Sequence, residues 1–184
     1  MLRFLRSLFG VGRNKSASAP NSSPPPEEVM RGLREMILRT PASELGIEPS
    51  ESFPRIFGMV MDMPISGGLT ASVVSNCTGD ASLYTTSTFG VIGGIGHESV
   101  RNAAGAFVQA AQPYYDQASP TAEFPYPATG RVRFYLLGFD GVRVLETDAA
   151  SLQSRTAKYF ELWMAGQHVL TELRLVSERT GSQR

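Results

Sequence analysis

Cysteine and histidine are scarce in this chain of 184 residues, which has one cysteine, Cys77, and two histidines. A single thiol excludes an intrachain disulfide and any zinc or iron–sulfur site built from several cysteines. There is also no run of about 18 apolar residues, so the sequence predicts no membrane-spanning helix. These scarcities remove several classes of cofactor chemistry before any motif is considered.

The sequence also lacks an overall charge, because 17 basic residues balance 17 acidic ones. The balance hides an uneven distribution, since residues 1–26 have no acidic residue and a charge of +4. Their basic residues are Arg3, Arg6, Arg13 and Lys15. The remainder, residues 27–184, is therefore mildly acidic, with a charge of −4. Nucleic-acid-binding domains concentrate positive charge on the folded body, so we expect no nucleic-acid partner.

The first residues alternate apolar and basic side chains. Leu2, Leu5 and Phe9 recur at helical spacing, and Arg3 and Arg6 fall between them. A helix here would be amphipathic, and these five residues are the candidate contacts with a partner protein or, more weakly, with a membrane surface. So few residues form only a marginal helix in water, so the favoured interpretation is a disordered tail.

Residues 16–26 are rich in serine and proline and predict a disordered linker. The sequence thus divides into residues 1–26 as tail and linker, residues 27–176 as one domain, and residues 177–184 as a disordered C-terminus. The two arginines interrupt any candidate signal-peptide core, so we expect a cytoplasmic protein, although an organellar transit peptide would fit a eukaryotic source.

Hydrophobic periodicity predicts the element order helix, three strands, helix, two strands, helix. The first helix begins at Glu27 and ends before Pro41. The predicted strands cover residues 55–63, 69–76, 81–86, 131–137 and 142–145, and Asp140-Gly141 indicates a hairpin. Between the third and fourth strands, the second helix has an apolar stripe at Val100, Ala103, Ala104, Phe107, Val108 and Ala111. The fold class is α+β, a mainly antiparallel sheet of about five strands packed with helices.

The closing helix is predicted from a broad apolar face. Its members are Tyr159, Phe160, Trp163, Met164, Leu170, Leu173 and Val176. Residues 113–130, which contain four prolines, are expected to form a long loop. Such a loop is either functional, for instance as a lid, or poorly ordered.

The glycine-rich stretch before the second helix is the main candidate for a ligand site. Its candidate ligand-binding residues are Gly94, Gly96, His97, Glu98 and Arg101. Glycines before a helix can admit a phosphate, but His97-Glu98 replaces the lysine and hydroxyl of a phosphate-binding loop. Glu98 would also repel an anion. The favoured interpretation is a tight backbone crossing in which Val91, Ile92 and Ile95 pack and His97 or Ser99 caps the helix.

Three other residues carry side chains that could take part in chemistry. Cys77 is favoured as a small core residue, because nothing adjacent lowers its pKa. His168 is expected to meet Glu172 one helical turn away. Asp62 lies on an apolar strand, and we expect it to face solvent, with pairing to Arg131 or Arg133 as the alternative. These tests predict no cofactor, no metal and no catalytic residue.

Three segments resemble those of an uncharacterised bacterial protein family, which brings no known activity. They are residues 81–84, 93–101 and 131–142, and the resemblance spans roughly residues 27–176. The element order is also similar to that of small profilin-like and roadblock-like domains, which mostly serve as adaptors and dimerising modules. The leading hypothesis is a non-enzymatic interaction module that binds a protein partner or forms a homodimer. The alternative is a small enzyme or ligand-binding protein that uses the glycine-rich loop.

Overall fold

A computed structural model describes residues 24–181, and the side chains up to residue 179. Its three α-helices are α1 (Pro26–Arg39), α2 (Glu98–Ala111) and α3 (Phe160–Gly181). Its seven strands are β1 (Ile56–Ile65), β2 (Leu69–Asn76), β3 (Ala81–Thr85), β4 (Gly90–Val91), β5 (Ser119–Pro120), β6 (Arg131–Gly138) and β7 (Gly141–Asp148). The predicted α+β class is confirmed.

The strands form one antiparallel sheet in the order β4-β3-β2-β1-β6-β7-β5. The five long strands are the five predicted from periodicity. The two additional strands, β4 and β5, have two residues each and lie at the two edges, where they are too short for a periodic signal. The hairpin between β6 and β7 is also as predicted, with Gly138 opposite Gly141.

One face of the sheet, the α2–α3 face, is covered by these two helices. The central strands contribute Met59, Met61, Val73, Phe134 and Leu136 to its core. All six residues of the predicted α2 stripe are buried against it. The closing helix buries a narrower stripe than its broad apolar composition indicates, and Met164 is exposed. That stripe consists of Leu162, Val169, Leu173 and Val176.

The opposite face, the α1 face, is covered by α1 and by a loop that follows β5. Its apolar core includes Phe57, Val60, Tyr84 and Leu137 of the sheet and Leu38 of α1. Phe124 of the loop packs against this core. Residues 113–130 are thus not a free loop, because residues 112–117 form a 3₁₀ helix and Phe124 lies against the core.

The sequence predicts one apolar face on α1, and only part of that face is buried. Of its members Val29, Met30, Leu33, Met36 and Ile37, three pack against the core, namely Met30, Leu33 and Ile37. Val29 and Met36 are exposed, whereas Arg34 and Leu38 are buried. The sequence interpretation counted only apolar residues, and it therefore missed a stripe that has an arginine at its centre. The physical reason for this burial is an ionic partner in the sheet, described below.

The ends of the domain differ slightly from the expected limits of 27 and 176. Helix α1 begins at Pro26, with proline at the first helical position, where its missing N–H costs nothing. Helix α3 continues to Gly181, past the residue where a disordered C-terminus was expected to begin. Within residues 24–181, no helix has both the length and the apolar character needed to cross a bilayer.

Candidate functional site

The glycine-rich stretch forms an edge of the sheet, and we call residues 89–97 the edge segment. Its strand β4 pairs with β3, Val91 opposite Leu83 and Gly90 opposite Tyr84. In the described residues, β3 is its sole strand neighbour. Two side chains fix the path of the segment. The Thr85 hydroxyl donates to the Phe89 carbonyl at 2.6 Å, and the Arg101 guanidinium donates to the Ile95 carbonyl at 2.8 Å.

Close packing explains two of the glycines in this segment. A Cβ at Gly94 would lie 2.6 Å from a methyl carbon of Val100 and 2.9 Å from one of Leu173, so only glycine fits between α2 and α3. A Cβ at Gly90 would lie 2.6 Å from the Met30 sulfur. Gly96, in contrast, has open space around it. The tight backbone crossing predicted from sequence is therefore present at Gly90 and Gly94.

The polar residues of the stretch do not converge. His97 and Glu98 are exposed, and His97 precedes α2 without a side-chain capping hydrogen bond, contrary to the expected cap. Arg101 is directed back to the Ile95 carbonyl. A ligand site would need a concave pocket holding His97 and a second polar group. The contacts of His97, Glu98 and Arg101 do not form such a pocket. Gly94 is buried by packing, and its polar neighbours are exposed.

What the edge segment does present is apolar surface. Phe89, Ile92 and Ile95 have exposed fractions of 50%, 63% and 45%. This corrects the expectation that Ile92 and Ile95 pack inside the crossing. The glycines bring the backbone, rather than these side chains, against the core, and the larger side chains are left on the outside.

A buried ionic cluster lies beneath α1. Asp62 is fully buried, so the expectation that it faces solvent is wrong. Its carboxylate accepts two hydrogen bonds from the Arg34 guanidinium and one from the Ser72 hydroxyl at 2.6 Å. Arg34 also donates to the Phe124 carbonyl at 2.9 Å and lies over the Tyr126 ring. The cluster therefore joins α1, the sheet and the loop after β5.

The suggested alternative partners of Asp62 are engaged elsewhere. Arg133 is its register neighbour on β6, as the alternative required, but Arg133 and Arg131 both bind Glu146 on β7. Arg34 was not considered from the sequence. The signal that could have found it is its position four residues from both Met30 and Leu38, within the buried stripe of α1.

Burial and pairing both act on the pKa values of the cluster. Burial raises the pKa of Asp62, and the hydrogen bonds and charge of Arg34 offset this only in part. For Arg34, burial lowers the pKa, but the hydrogen bond and charge of Asp62 outweigh it, so its pKa is raised. Arg34 is thus a permanent cation that needs Asp62 as its counter-ion. All polar contacts of the pair are internal, which is typical of a structural role.

A surface cavity of about 360 Å³ lies at the other edge of the sheet, lined by residues 120–122 and 140–143. Its charged side chains already have partners. Arg143 lies over the Tyr115 ring, 4.2 Å from its centre, and 3.6 Å from the Asp140 carboxylate. Arg55 covers the same ring at 3.7 Å and pairs with Asp116. None of the candidate ligand-binding residues of the glycine-rich stretch lines this cavity.

The remaining chemical candidates have structural environments. Cys77 is half-buried at the end of β2, and burial raises the pKa of its thiol, which disfavours the reactive thiolate. His168 lies 3.6 Å from Glu172, as predicted. Among residues 24–181 there is no group of three histidine, cysteine, aspartate or glutamate residues arranged to hold a metal ion. Leu2, Arg3, Leu5, Arg6 and Phe9 lie outside the described residues.

Comparisons with family models, with curated proteins and with solved structures found no match for this chain. The candidate site therefore rests on the geometry of the edge segment alone.

Proposed function

We propose that this chain is a non-enzymatic protein-interaction module and that the edge segment is its contact surface. The observation that carries the proposal is the exposure of Phe89, Ile92 and Ile95 on a backbone that is fixed at both ends. Three large apolar side chains within seven residues, at the edge of a sheet, form the kind of surface that monomeric proteins rarely leave open. Because the segment is already held in place, binding orders little additional chain.

The two edges of the sheet support this choice of surface. At the β5 edge, Pro120 cannot donate a hydrogen bond to an added strand, and charged side chains of β7 lie beside it. At the β4 edge there is no proline, and the large exposed side chains beside the strand, Phe89 and Ile92, are apolar. A strand or apolar segment of another polypeptide would therefore add at β4.

The partner we propose is a second copy of the chain. An antiparallel edge strand can pair with its own copy across a two-fold axis, because each strand offers the donors and acceptors that the other needs. The apolar side chains would then cover each other. This arrangement needs no additional component and agrees with the dimerising modules that the element order resembles.

The dispersed polar groups also favour binding over catalysis. His97 and Glu98 are exposed, Arg101 donates to the Ile95 carbonyl, and burial disfavours the thiol of Cys77 as a nucleophile. A cytoplasmic location and a bacterial source are part of the same proposal, supported by the single cysteine and by 15 arginines against two lysines.

The test is the self-association of the full chain, measured by sedimentation equilibrium over a wide range of concentrations. We expect Ile92→Lys to weaken self-association by at least about tenfold, because burying an unpaired charge in an apolar contact costs well over 1.4 kcal/mol. The matched control is Met36→Lys, which places the same charge at an exposed apolar position of α1. We expect it to leave the association unchanged.

Two results would contradict the proposal. One is a chain that stays monomeric at every concentration, with and without the changes to residues 2–9 described below. The other is equal weakening by Ile92→Lys and Met36→Lys, which would assign the contact to general surface charge instead of the edge segment.

A further inference from the structure

The described chain begins beside the edge segment. Met30 approaches Gly90 so closely that a Cβ there would lie 2.6 Å from the methionine sulfur. Met30 is four residues after Pro26, so the start of α1 lies about 6 Å along the helix axis from this contact. Residues 24 and 25 therefore join α1 little more than one helical turn along its axis from the contact with β4.

The sequence that enters there has the side chains the surface lacks. Leu2, Leu5 and Phe9 are apolar and recur at helical spacing. They could cover the three exposed apolar side chains of the edge segment. Charge is complementary as well. Residues 1–26 carry +4, whereas Glu27 and Glu28 at the start of α1 and Glu98 directly after the edge segment are all exposed.

We infer that residues 2–9 bind the edge segment of their own chain and cover the apolar side chains of Phe89, Ile92 and Ile95. This inference rests on the proposed function, because it names the regulation of the same contact surface. In the covered form, the domain is a monomer. Release of residues 2–9 frees the edge for a second copy.

Chain length and effective concentration favour the internal contact. Residues 10–25 can extend over roughly 50 Å, far more than the distance to be crossed. A segment tethered this closely has an effective concentration of the order of 1 mM. A second copy at micromolar concentration must compete with it, so the internal contact is formed first unless the dimer is about a thousandfold tighter.

The test is paramagnetic relaxation of methyl signals in the full chain. A spin label is attached to Ser7→Cys in a Cys77→Ser background, at a concentration where the chain is monomeric. We expect strong broadening of the Ile92 and Ile95 methyl signals. The methyls of Val142 and Val144 are the internal control, since β7 lies five strand spacings, about 24 Å, from β4.

A second comparison removes the apolar side chains of the tail. In Leu5→Ser/Phe9→Ser, we expect the broadening to disappear and self-association to become at least about tenfold tighter, because the competing segment is lost. The matched control is Val11→Ser, which removes an apolar side chain outside residues 2–9 and should change neither readout.

Several outcomes would overturn the inference. The first is the absence of broadening at Ile92 and Ile95, and the second is equal broadening at Val144. The third is the same broadening in a mixture in which the spin label and the isotope label are on different chains, because the contact would then be intermolecular. Binding of the labelled tail to anionic vesicles without any effect on Ile92 would assign residues 2–9 to a membrane surface. Self-association that depends on Ile92 but not on Leu5 and Phe9 would leave the proposed function standing without this regulation.

Discussion

Both faces of the sheet are buried at its centre, where β1 lies, but different interactions bury the α2–α3 face and the α1 face. On the α2–α3 face, the central residues of β1 are the methionines Met59, Met61 and Met63, and they belong to one core with aliphatic and aromatic side chains of both helices. On the α1 face, Asp62 of the same strand meets Arg34. Met61 and Asp62 are adjacent in sequence and both have an exposed fraction of 0%.

The two faces should differ in how much stability a single substitution removes. An apolar core loses stability in proportion to the contacts removed, so its failures are graded. A buried ion pair depends on both partners, because removal of one leaves the other charged in a site without water. The α1 face therefore joins helix, sheet and loop through a few directional contacts, and we expect it to be the more fragile of the two.

The largest predicted effect is that of Asp62→Asn. The guanidinium of Arg34 would stay charged and buried without its counter-ion, at an expected loss of about 3–5 kcal/mol in the free energy of unfolding. Urea unfolding of the variant and the wild type measures this difference. The exposed pair Glu35–Arg39 on the same helix is the control, and Glu35→Gln should cost no more than about 0.5 kcal/mol.

The double variant Arg34→Met/Asp62→Asn separates the charge from the packing. It should regain most of the lost stability, because an apolar side chain replaces the uncompensated cation. If the double variant is no more stable than Asp62→Asn alone, the stability of the α1 face does not depend on charge compensation.

A smaller effect is predicted on the α2–α3 face at Gly166. A Cβ there would lie 2.6 Å from the Met61 sulfur and 3.3 Å from the Phe107 ring, so Gly166→Ala should cost about 1–3 kcal/mol by overpacking. Gly105 on α2 has open space around it, and Gly105→Ala should instead stabilise by roughly 0.5–1 kcal/mol through helix propensity. Thermal unfolding of both variants checks this, and a loss of equal size at both positions would contradict the close approach of α3.

The smallest predicted effect is a pH dependence at Glu146, on the same side of the sheet as α1. Burial raises the pKa of Glu146, but its hydrogen bonds and proximity to Arg133 and Arg131 outweigh this and hold its pKa below the usual value. Its stabilisation is thus fully present above the unfolded pKa of about 4.3 and is lost as the pH falls through the folded value.

Glu146→Gln measures that contribution. The difference in unfolding free energy between the wild type and this variant should be below about 1 kcal/mol near neutral pH, because the pair is partly exposed, and it should shrink as the pH is lowered below 4. A difference that grows on acidification would reverse the assigned sign.

Sequence periodicity predicted the elements correctly where apolar contacts alone decide which residues are buried. The α2 stripe was predicted residue by residue because each member faces a purely apolar surface. The five long strands and the Asp-Gly hairpin were also found, since their signals are local. The short strands β4 and β5 were missed because pairing with a neighbour, and not their own composition, makes them strands.

The candidate site was only half predictable. The glycines at 90 and 94 were recognised as a backbone crossing, and the structure supplies the reason in Met30, Val100 and Leu173. The exposure of Ile92 and Ile95 was not predicted, because apolar residues are expected to face inward unless the fold leaves them at an edge. Asp62 was placed in solvent for a related reason, since an arginine distant in sequence was not considered as its partner.

The sequence by itself determined the element order, the α+β class, the division of charge between residues 1–26 and the remainder, and the exclusion of an intrachain disulfide and of sites built from several cysteines. These follow from local periodicity and composition. Only the tertiary structure decided that both faces of β1 are covered, that Arg34 neutralises Asp62, and that the glycine-rich stretch forms an apolar edge. Burial and charge compensation depend on which elements meet, and contacts between residues far apart in the chain set that.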